Sequence, residues 1–228
     1  MKTKRGIFIL ITLFSIITIN YACKDKPKNE DPKPVIPVEP VELKVDTLLN
    51  SLSNPWGLTF LPDGSILITE RIGKLLRYYQ GNVSEISGLP AIETAGQAGL
   101  MDITLHPNYA SNGWIYFTAS VKEGAGMSTA LFRAKLNGAT LDNVTKLFQA
   151  DPKTSSTAHF GSRIVFDAQN HVYVCFGERN DPPQAQVTSN HSGTVVRLND
   201  DGTVPTDNPF VGNPAFKPEI WSYGHRNP

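Results

Sequence analysis

His159 opens the segment His159-Phe160-Gly161-Ser162-Arg163, and Glu178 lies in Gly177-Glu178-Arg179-Asn180-Asp181. Between them run two apolar stretches, Ile164-Val165-Phe166 and Val172-Tyr173-Val174-Cys175-Phe176, split by Asp167-Ala168-Gln169-Asn170. Alternation broken by turn formers predicts an antiparallel hairpin. The residue before its first strand and the residue after its second then share one end of a sheet, so His159 and Glu178 are expected to be neighbours. A carboxylate beside an imidazole fixes the tautomer and prepares a general base. The same pair would also serve as a plain structural contact at a sheet edge, and the hairpin alone does not separate the two readings.

Two other segments fall on the same rim. In Gly96-Gln97-Ala98-Gly99 the flanking glycines let backbone approach a ligand closely. Gly224-His225-Arg226-Asn227-Pro228 puts a guanidinium beside an amide, a pairing suited to planar carboxylates. The remaining histidines read more plainly: His106 and His171 as turn residues, the latter exposed, and His191 in a loop that could line a pocket. No His/Cys spacing suggests zinc, and the acidic stretches Asp200-Asp201-Gly202 and Thr206-Asp207-Asn208-Pro209 lack calcium-loop spacing and read as turns. No metal ligand is assigned within the chain.

The elements that must carry these residues recur. Gly57 to Tyr78, Leu100 to Leu136 and Ser162 to Asn199 each read as strand, Asp/Asn/Gly turn, strand, loop, strand. Equivalent points Phe60, Leu105 and Phe166 stand 45 and 61 residues apart, the period of a propeller blade with insertions on one face. The expected fold is all-β, a β-propeller of which about three blades are present; a β-sandwich is the alternative. Glu219-Ile220-Trp221-Ser222-Tyr223 is expected to begin a further unit, and the ring to close only with blades beyond Pro228.

Charge and the N-terminus narrow the setting. With 21 basic and 21 acidic residues, the chain offers no electrostatic footprint for nucleic acid. Residues 1–23 read as an export signal: Lys2, Lys4 and Arg5 precede an apolar run from Gly6 to Ile19, too short to span a bilayer. The leader ends at Asn20-Tyr21-Ala22-Cys23, which resembles a lipobox although Asn20 stands where an aliphatic residue is usual; Cys23 is the expected lipidation site. Residues 24–42, with five prolines among charges, read as a semi-rigid tether, and 43–228 as the folded domain. The expected product is an exported lipoprotein, membrane-anchored through its lipid and facing the periplasm or cell surface. Cys175, within an apolar run, is expected to be buried.

Taken in order, Asn54-Pro55-Trp56-Gly57-Leu58, Thr69-Glu70-Arg71, Gly96-Gln97-Ala98-Gly99-Leu100, His106-Pro107, His159-Phe160-Gly161-Ser162-Arg163, Gly177-Glu178-Arg179 and Gly224-His225-Arg226-Asn227-Pro228 resemble the glucose/sorbosone dehydrogenase family. The likeness is to its soluble aldose dehydrogenases, which use pyrroloquinoline quinone, and it runs from about Leu43 to Pro228. It implies a six-bladed propeller that oxidises an aldose at the anomeric carbon to the lactone. His159 would be the general base and Glu178 its orienting partner, with Gln97, Arg226 and Asn227 contacting the quinone. Hydride would pass to a quinone carbonyl carbon, Arg226 steadying the charge on its oxygen. The resemblance also implies Ca²⁺, with ligands expected on later blades, so that the 228 residues alone would neither hold cofactor well nor turn over. The electron acceptor is left open. A non-catalytic carbohydrate- or protein-binding propeller of the same fold is the rival reading, and a metal-dependent propeller lactonase a weaker one.

Overall fold

The computed structural model describes residues 42–228; the leader, Cys23 and the tether through residue 41 lie outside them. From Thr47 to Pro228 the chain forms one compact unit. It is built from three four-stranded antiparallel sheets, each a meander in chain order. The first comprises β1 (Pro55–Phe60), β2 (Ile66–Glu70), β3 (Lys74–Tyr79) and β4 (Asn82–Ile86). The second holds β5 (Leu100–Leu105), β6 (Trp114–Glu123), β7 (Gly126–Asn137) and β8 (Thr140–Gln149). The third holds β9 (Ile164–Phe166), β10 (Val172–Phe176), β11 (Thr194–Leu198) and β12 (Ile220–Tyr223). These are three consecutive propeller blades, and Phe60, Leu105 and Phe166 each close the first strand of one. Among the described residues no helix is long and apolar enough to cross a membrane.

Turn chemistry sets the hairpins. The Asp63 carboxylate accepts from Ser65 N and Ser65 Oγ at 2.9 and 2.6 Å while Gly64 sits at φ 82°. Asp201 repeats the device with Thr203 around Gly202, at 2.9 and 2.6 Å. These acidic stretches are therefore turns held by side-chain-to-backbone bonds.

Blade faces pack on blade faces. Leu67, Leu75 and Ile86 of the first meet Leu100, Ile103, Phe117, Phe132 and Leu141 of the second. On the second blade's other face, Tyr116 and Leu131 join Ile164, Val174, Phe176, Val196 and Leu198 of the third. Phe117 and Tyr116 are adjacent in β6 and serve opposite cores, as period-two geometry requires. A strand covered on both sides reads as a continuous apolar run, which is how Trp114 to Ala119 looks.

Two expectations are corrected. Glu219 to Tyr223 does not begin a further unit: β12 pairs with β11, Thr194 opposite Tyr223, and completes the third blade. The long connection after Leu198 hid this pairing. It is stitched back by Asn208, whose amide donates to Arg197 O and Pro218 O at 3.0 Å each. His171 is not exposed but half-buried, its ring 2.9 Å from the Asp167 carboxylate and against the Arg197 guanidinium.

Candidate functional site

The ends at which β1, β5 and β9 begin and β2, β10 and β12 finish share one rim, and it carries the candidate residues. His159 and Glu178 meet there as the hairpin predicts. His159 Nδ1 lies 2.6 Å from Glu178 Oε1; the imidazole is largely buried and the carboxylate almost wholly so. A carboxylate against Nδ1 draws the proton to that nitrogen, leaving the Nε2 lone pair as the basic atom. Glu178 Oε2 is buried with no partner.

The backbone around the pair is strained. His159, Ser162, Arg179 and Asn180 have φ of 52°, 107°, 62° and 61°. Non-glycine residues in that region cost about 1–3 kcal/mol each and persist where surroundings over-determine them, as at functional sites. Gln97 and Asn227 do part of the determining. Gln97 Oε1 accepts from His159 N at 2.8 Å, and Asn227 Oδ1 from Gly161 N at 2.9 Å. Glu178 N donates to Arg226 O at 2.9 Å, tying the segment after β12 to the end of β10. The structure thus brings His159, Glu178, Gln97 and Asn227 together; Arg226 joins through its backbone, its side chain exposed.

These bonds orient the amides. Each spends its oxygen on a backbone N–H, so the two NH2 groups and the Arg226 guanidinium remain as donors without partners among the described hydrogen bonds. A donor-rich rim suits an anionic, acceptor-rich ligand such as a quinone bearing carboxylates. Beside it, Trp56, Arg71, Gly96, Gln97, Met101, Phe160, Gly161 and Asn227 line a cleft of about 330 Å³. Among the described residues no group of three or more His, Cys, Asp or Glu side chains is placed to hold a metal.

Gly177 shows how closely the parts fit. A Cβ there would stand 2.2 Å from His159 O and 2.8 Å from Asn227 Oδ1, with nowhere to go. Gly177→Ala is expected to cost about 1–3 kcal/mol as overpacking and to loosen the 159–161 loop. Chemical denaturation with amide hydrogen exchange over that loop checks it, and an unchanged midpoint with unchanged protection contradicts it.

Asp102 escaped the sequence reading. It bridges blades, holding Arg163 Nη1 at 2.9 Å and Ile164 N at 2.8 Å, while Arg163 stacks 4.4 Å over Trp56. Cys175 is buried as expected; burial pushes its thiol up, and its Sγ donates to Pro228 O at 3.0 Å. His191 forms a second His–Glu pair, Nε2 to Glu219 Oε1 at 2.6 Å, but Asp151 N donates to its Nδ1 at 2.9 Å. Both ring nitrogens are spent, so His191 offers no basic atom and does not line an open pocket wall as a free imidazole.

Three propeller blades thus carry the oriented His159–Glu178 pair and a donor-lined cleft on one rim. Residues 52–228 match the family model for glucose/sorbosone dehydrogenase, and the chain belongs to that family. It is 36% identical over 195 residues to aldose sugar dehydrogenase YliI of Escherichia coli strain K12, covering 83% of this chain and 53% of that protein. Against the crystal structure of the soluble aldose sugar dehydrogenase of E. coli in its apo-form, the TM-score is 0.77 at 37% identity, over 80% of this chain and 54% of that one. Against the PQQ-bound aldose sugar dehydrogenase of Streptomyces coelicolor it is 0.68 at 29% identity, over 80% and 54%. The chain spans about half the length of the relatives it matches.

Proposed function

We propose that the whole protein containing these blades oxidises an aldose at its anomeric carbon to the lactone, with pyrroloquinoline quinone as the hydride acceptor. The observation that supports this most is the His159–Glu178 pair, which leaves Nε2 as the basic nitrogen on a loop whose next residues, Phe160 and Gly161, line the donor-bearing cleft. His159 Nε2 takes the proton of the anomeric hydroxyl as the carbon–oxygen double bond forms. Glu178, already on Nδ1–H, stabilises the imidazolium that results. Gln97, Asn227 and Arg226 hold the acceptor-rich ligand through their unspent N–H groups. A bound quinone supplies the two-electron acceptor for the hydride. Ca²⁺ belongs to the proposal with ligands from outside the described residues, and no step here runs through it. Export and anchoring through a lipid on Cys23 complete the reading, which would present the site to sugars outside the cytoplasm.

A purely sugar- or protein-binding propeller has no use for an oriented base, and that separates the rival. The test is the whole protein reconstituted with pyrroloquinoline quinone and Ca²⁺, given aldoses and an electron-accepting dye. Quinone-dependent dye reduction with lactone formation is expected. Sugar binding by calorimetry with no turnover across a panel of aldoses would overturn the reading in favour of the binder.

A further inference from the structure

Arg179 follows Glu178 at the end of β10, and its guanidinium is buried, only 7% of the residue remaining exposed. Nη1 donates to Ala158 O at 2.8 Å and Nη2 to Ser156 O, while the planar group lies 3.5 Å over the Phe160 ring. Those three contacts bracket His159: one on the carbonyl before it, one two residues further back, one on the ring after it. On its other side the His159 N–H is held by Gln97. A residue at φ 52° keeps that conformation only while its flanks are fixed.

The charge matters as well. Glu178 Oε2 and Arg179 Nε are both buried and unbonded, so the anion at Glu178 is compensated through space by the adjacent guanidinium. Burial pushes Arg179 down to about 10, and the charge of Glu178 pulls the other way.

We propose that Arg179 is a positioning residue: it clamps the 156–160 loop so that His159 stands in its strained, productive conformation, and it balances the charge of Glu178. This rests on His159 being the base. Arg179 reaches the cleft only through the Phe160 ring and the 156–160 loop, so its loss should act on kcat more than on ligand binding. A lysine retains the charge yet lacks the fork that grips two carbonyls and the plane that stacks on Phe160.

The experiment compares Arg179→Met and Arg179→Lys with wild type in the whole protein, saturated with quinone and Ca²⁺. Expected is a fall in kcat of about 100-fold for Met, larger than any rise in KM or quinone Kd. Lys should recover a minor part of the loss. In the apo-protein, amide hydrogen exchange at residues 156–160 should quicken in both variants. Unchanged kcat in folded, cofactor-saturated Arg179→Met overturns the proposal, as does full rescue by lysine or unaltered exchange. The exchange readout needs no catalysis. It therefore separates failure of the clamp from failure of the His159 assignment, in which case exchange quickens while kcat follows neither variant.

Discussion

His159→Asn is expected to lower kcat of the whole protein by about 10²–10⁴-fold, the usual contribution of a positioned general base, with quinone binding nearly unchanged. Asparagine is chosen because it tolerates positive φ, so the backbone at 52° survives and Gln97 keeps its bond to the residue 159 N–H. What is lost is Nε2. Glu178→Gln should cost less, since the imidazole remains but neither its tautomer nor the imidazolium is then secured. Because the two act as a unit, the double variant should be about as slow as His159→Asn alone. Steady-state oxidation of an aldose, with quinone affinity measured by fluorescence titration, checks all three. A kcat for His159→Asn within threefold of wild type would mean that the base lies elsewhere.

How much of this was legible in the sequence follows from which forces leave local traces. The first two strands of each blade were legible because Asp63-Gly64, Asn112-Gly113 and Asp167 to Asn170 mark tight connections between apolar runs. So was the meeting of His159 and Glu178, which needs only one hairpin. Outer strands were not. β4 is mostly exposed and β8 largely polar, so neither shows an apolar alternation. β12 does alternate, but residues 199–219 separate it from its partner, and no local signal says that Asn208 folds that loop back. Sites joined across blades were equally silent. Asp102 of the second blade reaches Arg163 of the third through a contact that only the assembled rim creates.

The same contrast decides what the second His–Glu pair is for. His191 and Glu219 are separated by 28 positions and have the same short contact as His159 and Glu178, yet His191 is 2% exposed and Phe148 and Phe176 pack on its ring. Asp151 follows β8 and Glu219 precedes β12, so the imidazole between them pins the second blade to the outer edge of the third. Breaking a buried pair strands the survivor, and His191→Ala should cost about 3–5 kcal/mol of folding stability. Replacing both by apolar residues of similar volume, as in His191→Phe with Glu219→Leu, should recover much of that. Burial is the largest influence and opposes ionisation of Glu219, but the His191 hydrogen bond, a backbone bond and the Lys217 charge together outweigh it and hold the carboxyl below its ordinary 4.5. A depressed carboxylate stabilises fully above the unfolded value and less as pH falls through the folded one. Asp63, Asp151, Asp167, Asp201 and Asp207 are held low too, so the share of Glu219 is the difference between wild type and Glu219→Gln. That difference should be constant from pH 7 to about 5 and shrink below the ordinary glutamate range. Urea denaturation across that range measures it; a gap that widens in acid would show that the pair does not hold the carboxylate ionised, and the pin between blades would have to be sought in packing alone.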